Sequence, residues 1–159
     1  MQDNLTIDRI YKAHPKIKEE LLSLYLQCNN MLPKNVRLRF AYVFRSPEEQ
    51  HALFLKRPKV TNADSWQSIH NYGLAFDIVI LYDKDGNGTF ETASWDNNEH
   101  WKMVVSFFKS KGYEWGGDWK KFKDAPHFQK DFGFDWKTLK QRVDREITLI
   151  DNGITYPKI

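Results

Sequence analysis

The sequence predicts an α+β fold in which a small antiparallel sheet carries helices against one face. Two unlike hydrophobic periods run along the chain. Helices and strands do not alternate in the order of a parallel sheet, and no repeat or linker divides the 159 residues. One domain is expected across 1–159, since that length buries a sizeable core. Apolar residues make up 41% and charged residues 28%, with eight glycines and six prolines, which excludes a disordered or collagen-like chain. No apolar run reaches the roughly 18 residues of a membrane span. A single cysteine, Cys28, excludes an internal disulfide framework. The net charge of +3, from 24 basic and 21 acidic residues, is too small to predict a nucleic-acid binder.

Each element has its own signal. Ile17, Leu21, Leu24, Tyr25 and Cys28 recur at helical spacing and predict a first, amphipathic helix over 15–28, with Cys28 on its apolar stripe as a packing residue. From Val36 to Phe44 apolar residues alternate with Arg37, Arg39, Ala41 and Val43, which predicts a strand with one buried face. Ser46-Pro47-Glu48-Glu49 combines a capping box with a proline start and predicts a short helix to about residue 56. Residues 57–73 read as a loop and Leu74–Tyr82 as a buried strand. Asp83–Gly88 is a turn before a returning strand. Asp96 is expected to cap a helix whose stripe is Trp101, Val104, Val105 and Phe108 and which stops at Gly112. A short strand is expected at 113–115 and the last strand at 127–130. A closing helix should then run through Trp136, Leu139, Val143, Ile147 and Ile150, capped by Asp135 and ended by Gly153.

Asp77 carries the most chemical information, because it sits in an otherwise apolar strand, LAFDIVILY. A buried carboxylate is costly unless it is paired or bound to a metal. Arg37, Arg39 or Arg45 could pair with it. The alternative is a metal, because His70 lies seven residues earlier in a polar loop that Gly73 lets bend sharply into the strand. A catalytic zinc commonly takes three protein ligands and leaves a fourth position open, so a third ligand must come from elsewhere. His127, after Asp124-Ala125-Pro126, is the best candidate. Asp124 would then stand beside the ion as a free carboxylate, which a hydrolase needs as general base. His14, His51 and His100 read as surface or satisfied core histidines.

Three ordered blocks go further. They are F-R-S-P-E-E-Q at 44–50, V-T-N-A at 60–63 with S-x-H-x-x-G-x-A-x-D at 68–77, and E-W-G-G-D-W-K-K-F-K-D-A-P-H-F-Q at 114–129. Together they resemble the M15 zinc peptidases, more narrowly the L-alanyl-D-glutamate endopeptidases of cell-wall lytic enzymes and phage endolysins. The resemblance implies a Hedgehog/DD-peptidase-like fold and one catalytic Zn2+. By position, His70, Asp77 and His127 match the zinc ligands, Asp124 the water-activating carboxylate, and Arg45 an arginine that binds substrate or steadies the transition state. Gln50 and Ser68 match positions near the substrate. Trp115 and Trp119 either shape the cleft or pack.

The implied activity is hydrolysis of an amide in the peptidoglycan stem peptide, at L-Ala–D-Glu. The alternatives are a D-Ala–D-Ala carboxypeptidase or dipeptidase, and a non-catalytic zinc module that binds wall fragments. The expected partners are stem peptides, with no nucleic acid and no membrane span, and the chain is expected to be a monomer acting on the cell wall. No leader is visible, which suits a lysin released through a membrane lesion or a chain trimmed of its leader. Separately, Asp83, Asp85, Asn87 and Gly88 spell the start of an EF-hand loop, but Ser94 stands where its bidentate glutamate belongs. The segment is read as a hairpin turn, with a weak Ca2+ site at Asp83, Asp85 and Asn87 as the alternative.

Overall fold

A computed structural model describes residues 3–159. Its main sheet follows the order β1-β2-β5-β4, with β3 paired to the far end of β2. The strands are β1 (Val36–Tyr42), β2 (Ala75–Tyr82), β3 (Thr92–Ser94), β4 (Glu114–Trp115) and β5 (His127–Gln129), and every pairing among them is antiparallel. The helices are α1 (Asn4–Ile10), α2 (Pro15–Met31), α3 (Pro47–Phe54), α4 (Glu99–Ser110) and α5 (Trp136–Asp144). No described helix is long and apolar enough to cross a membrane.

The alternation in β1 buries Val36, Leu38 and Phe40 and leaves Arg37 and Arg39 on the other face. The stripes of α2 and α4 meet this surface, with Ile17, Leu21, Tyr25 and Cys28 from the former and Trp101, Val104 and Phe108 from the latter. Aromatic rings fill the centre. Phe40 stacks on Phe76 at 4.2 Å and Phe76 on Phe128 at 5.2 Å, while Phe108 meets Phe76 edge-on at 4.9 Å. Burial pushes the Cys28 thiol up to about 12, so the lone cysteine is an inert packing residue.

Five sequence expectations need correction. The helix expected over 15–28 is present as α2, but it is the second helix because α1 precedes it. Asp3 precedes α1 without a side-chain cap to its backbone, and its carboxylate instead accepts from the Thr6 hydroxyl and from both Nε and Nη2 of Arg39 at 2.9 Å. Asp96 is not the cap of α4. The side chain of Asn98 accepts the Trp101 N–H at 3.0 Å, which starts the helix two residues later. The closing helix stops at Asp144, where Glu146 takes a positive φ of 58°. Ile147 and Ile150 therefore belong to no helix face, and β5 is not the last strand.

The chain instead ends in a hairpin of β6 (Thr148–Asp151) and β7 (Ile154–Pro157). Asn152-Gly153 turns it with φ of 52° and 72°, the left-handed pair that a two-residue hairpin favours. The fifth correction concerns calcium. Asp83 accepts the backbone N–H groups of Gly86, Asn87 and Gly88 with both oxygens, so this carboxylate organises the turn and the Ca2+ alternative has no support.

Asp3 gives the fold an acid-sensitive joint. Burial opposes its charge, but Arg39 and Thr6 outweigh burial and hold the carboxyl below its ordinary value of 3.8. A depressed carboxylate contributes stability that is present above the unfolded pKa and is lost as pH falls through the folded one. Asp3→Asn should cost about 1–2 kcal/mol at pH 7. The gap to the wild type should close below about pH 3.8, as read by urea denaturation at both pH values.

Candidate active site

Register assembles the site. Asp77 is the direct cross-strand partner of Tyr42 on β1 and of His127 on β5, which sets these three side chains in a row on one sheet face. Its neighbours Phe76 and Ile78 point the other way into the core. His70 comes from a 3-10 turn, Ile69–Tyr72, just before β2. Ser68 opens that turn by accepting the His70 N–H at 3.2 Å, and Asn71 accepts the Ser68 N–H at 3.1 Å. Gly73 closes it in the left-handed region with φ 71°, and a Cβ there would stand 2.6 Å from the backbone nitrogen of His14. The turn is thereby pinned against the start of α2.

The Oδ1 atom of Asp77 lies 3.1 Å from Nε2 of His70 and 3.1 Å from Nδ1 of His127. One ligand atom from each of the three residues falls within 4.8 Å of the others. Ligand atoms around a tetrahedral ion with bonds near 2.0–2.1 Å stand about 3.3 Å apart, so this spacing fits one zinc ion.

Hydrogen bonds behind the histidines present the right nitrogens. Nδ1 of His70 meets the Val43 carbonyl at 2.7 Å. A carbonyl only accepts, so Nδ1 carries the hydrogen and Nε2 keeps its lone pair. Nε2 of His127 meets Oε1 of Gln129 at 2.8 Å, and the Gln129 amide donates to Asp131 at 2.7 Å. The carboxylate fixes which way the Gln129 amide points, and the amide fixes which His127 nitrogen is free.

The electrostatics suit a cation. Burial opposes ionised Asp77, but His70 and His127 outweigh it and hold the carboxyl far below the ordinary carboxylate range. Burial also disfavours a charged His127, yet its bond to Asp77 raises the imidazole above the ordinary histidine value.

Asp124 lies exposed at the mouth, with Oδ2 3.9 Å from Nδ1 of His127. Desolvation, then the charge of Asp77, raises its pKa against the pull of His127, His70 and Arg45. Such a carboxylate accepts protons more readily than an ordinary aspartate. Gly116 positions its loop. The Asp124 N–H bonds the Gly116 carbonyl at 3.0 Å, and a Cβ on Gly116 would stand 2.4 Å from the Asp124 carbonyl oxygen. Trp115 donates to the Ala125 carbonyl at 2.7 Å and pins the same loop, while Trp119 packs against the His127 ring at 5.2 Å and lines the cleft.

Arg45 follows β1. Its Nη2 is 3.9 Å from Oδ2 of Asp77, its Nη1 donates to Gln50 at 3.0 Å, and its guanidinium lies over the Tyr42 ring at 4.7 Å. Nε of Arg45 is buried with no hydrogen-bond partner. Of the three arginines the sequence offered to Asp77, Arg45 is the one beside it, since Arg39 pairs with Asp3 and Arg37 lies over Phe90. Gln50 stands behind Arg45, fully buried and tied to the Ala63 carbonyl at 2.8 Å, whereas Ser68 lines the cleft. The cleft encloses about 540 Å³.

The site has relatives. A family model described as D-alanyl-D-alanine carboxypeptidase, within peptidase M15, matches residues 61–130. A Bacillus subtilis protein named peptidoglycan L-alanyl-D-glutamate endopeptidase CwlK is 38% identical over 125 residues, covering 73% of this chain and 72% of that protein. The chain belongs to the M15 peptidase family. An L-alanyl-D-glutamate peptidase of Listeria phage A118 is 36% identical over 78 residues, 46% of the M15 chain and 25% of the phage protein. The crystal structure of the Serratia marcescens L-Ala D-Glu endopeptidase ChiX shares the fold, with a TM-score of 0.57 and 22% identity over 80% of this peptidase and 86% of that one. The α+β class with its small antiparallel sheet holds, and the protein is a hydrolase of a zinc-dependent family.

Sequence reasoning missed Gln129 and Asp131. Their signal was the i, i+2, i+4 run His127, Gln129, Asp131, polar residues at strand spacing. Gln129→Leu should weaken zinc binding about 10–100-fold with the fold intact. Competition against a chromophoric chelator reads the affinity, and circular dichroism reads the fold.

Proposed function

We propose that this M15 peptidase cleaves the L-Ala–D-Glu amide of the peptidoglycan stem, with His70, Asp77 and His127 as zinc ligands. The observation that carries the proposal is the convergence of three ligand atoms within 4.8 Å, each presented by its own hydrogen bond or strand register. The names borne by the Bacillus and Listeria phage relatives support the bond assignment. Zinc at this site would supply Lewis acidity, lowering the pKa of a water and polarising the scissile carbonyl.

The chain's own groups do the rest. Asp124 takes the proton from the attacking water at its carboxylate. The oxygen adds to the carbonyl carbon, and the negative charge that grows on the carbonyl oxygen is met by the Arg45 guanidinium, which Gln50 and Tyr42 hold in place. Asp124 then gives its proton to the leaving amine as the C–N bond breaks. Ser68 acts by shaping the turn that presents His70, and Trp119 walls the cleft. No side-chain nucleophile is needed, which leaves Cys28 to packing.

One observation favours a second reading. The matching family model bears the description D-alanyl-D-alanine carboxypeptidase, and the same machinery would serve that bond. Mass spectrometry of products from defined muropeptides separates the two. A new D-Glu amino terminus supports the endopeptidase, and free D-Ala supports the carboxypeptidase.

Asp124→Asn should lower kcat by about 10²–10⁴-fold while zinc stays stoichiometric by atomic emission. An active variant would refute the base assignment. His127→Ala should lose zinc and activity together, and chelation of the wild type should abolish cleavage and lower Tm, with both restored by Zn2+.

A further inference from the structure

Two basic loops border the cleft. The loop after α3, residues 55–60, reads Leu-Lys-Arg-Pro-Lys-Val, and the loop at 119–123 reads Trp-Lys-Lys-Phe-Lys. They contribute Lys56, Arg57, Lys59, Lys120, Lys121 and Lys123, all exposed. These are six of the 24 basic residues, and the other 18 face 21 acidic ones. The net charge of +3 thus hides a body that is acidic overall and a rim that is basic.

Both loops border the site. Lys56 and Val60 line the cleft from one side, and Trp119 and Asp124 from the other. The rim lysines, like Lys34, Lys84 and Lys102 elsewhere, lack among the described residues the acidic partners that four other lysines have. Lys18, Lys109, Lys130 and Lys140 pair with Asp151, Asp118, Glu20 and Asp144. No described residue pairs with the side chain of Lys56, Lys59, Lys120, Lys121 or Lys123, and Arg57 reaches only the carbonyls of Phe54 and Lys56. Large apolar side chains stand among these cations, with Phe122 79% exposed and Val60 61% exposed. Unpaired like charges beside exposed apolar surface at a substrate entrance form a binding surface for an anion with some apolar body.

We propose that the two basic loops dock the free carboxylates that the stem peptide carries on the leaving side of the scissile bond. This rests on the endopeptidase reading. A glutamyl residue whose nitrogen forms the scissile amide brings two carboxyl groups, and onward linkage consumes at most one. The peptide terminus brings another. The leaving side of the substrate is therefore anionic at neutral pH, and rim cations steer and hold it. The basic rim also offsets the repulsion that Asp77 and Asp124 would exert on such a substrate.

The test uses the full zinc-loaded chain, a soluble stem peptide with free carboxylates and the same peptide amidated. Dissociation constants come from calorimetry and kcat/KM from product release. Lys120→Glu, Lys121→Glu and Lys123→Glu together should weaken binding and kcat/KM for the free peptide by about tenfold or more at low salt. The loss should shrink for the amidated peptide and near 0.3 M salt, where charges are screened within about 6 Å. The matching glutamines should fall between, and they guard against misfolding of the reversed variant.

Lys34, Lys84 and Lys102, exposed away from the cleft, serve as the control. Their reversal to glutamate should leave both constants near wild type. Equal losses on free and amidated peptide would overturn the proposal, as would an equal loss in the control. So would an unchanged peptide affinity accompanied by poorer sedimentation with intact walls, which would assign the rim to a phosphate polymer. Absence of any cleavage by the wild type would refute the endopeptidase reading, whereas cleavage that ignores rim charge refutes the docking surface alone.

Discussion

The site depends on one carboxylate. Asp77 is set in the middle of the sheet, where an ionised group is tolerated only with compensating charge close by. Two imidazoles meet one of its oxygens, and Arg45 stands 3.9 Å from the other. The aromatic centre on the opposite face of β2, with Phe76 between Phe40 and Phe128, holds the strand that carries Asp77. The hydrophobic core and the reactive group are therefore two faces of the same eight residues. A change that slipped β2 by one position would exchange them.

Around that carboxylate, the backbone does as much positioning as the side chains. The Val43 carbonyl selects the free nitrogen of His70, the Gly116 carbonyl holds the Asp124 loop, and the Ala125 carbonyl takes the Trp115 indole. Side-chain amides complete the frame, with Gln129 behind His127, Gln50 behind Arg45 and Asn71 donating to the Arg45 carbonyl at 2.8 Å. Each catalytic candidate thus has a fixed partner on its far side, the condition under which a metal and a base can act without reorganising first.

Local signals were legible wherever the local energy is large. The capping box at Ser46 and Glu49, the proline start of α3, the alternation of β1 as far as Phe40 and the stripe of α4 survived folding, whereas a bulge after Phe40 ends the predicted alternation and exposes Tyr42 in place of Val43. Local signals misled where two of them competed. Asp96 and Asn98 both suit a cap, and only Asn98 reaches the Trp101 amide. Ile147 and Ile150 fit a helical period, but the Asn152-Gly153 turn required a hairpin, and that dipeptide was the stronger cue.

By itself the sequence determined the fold class, the residue types available for chemistry and, through three motif blocks, the family. Those properties depend on patterns within short windows or on matches that need no coordinates. Tertiary structure alone decided that Tyr42, Asp77 and His127 share one row, since the pairing of β1, β2 and β5 is a register fixed by burial across the whole sheet. It also decided that Gln50 supports Arg45 from within the core instead of facing the cleft, and that two basic loops far apart in sequence border one cleft. Such placements depend on which surfaces are buried together, and no single segment of chain carries that information.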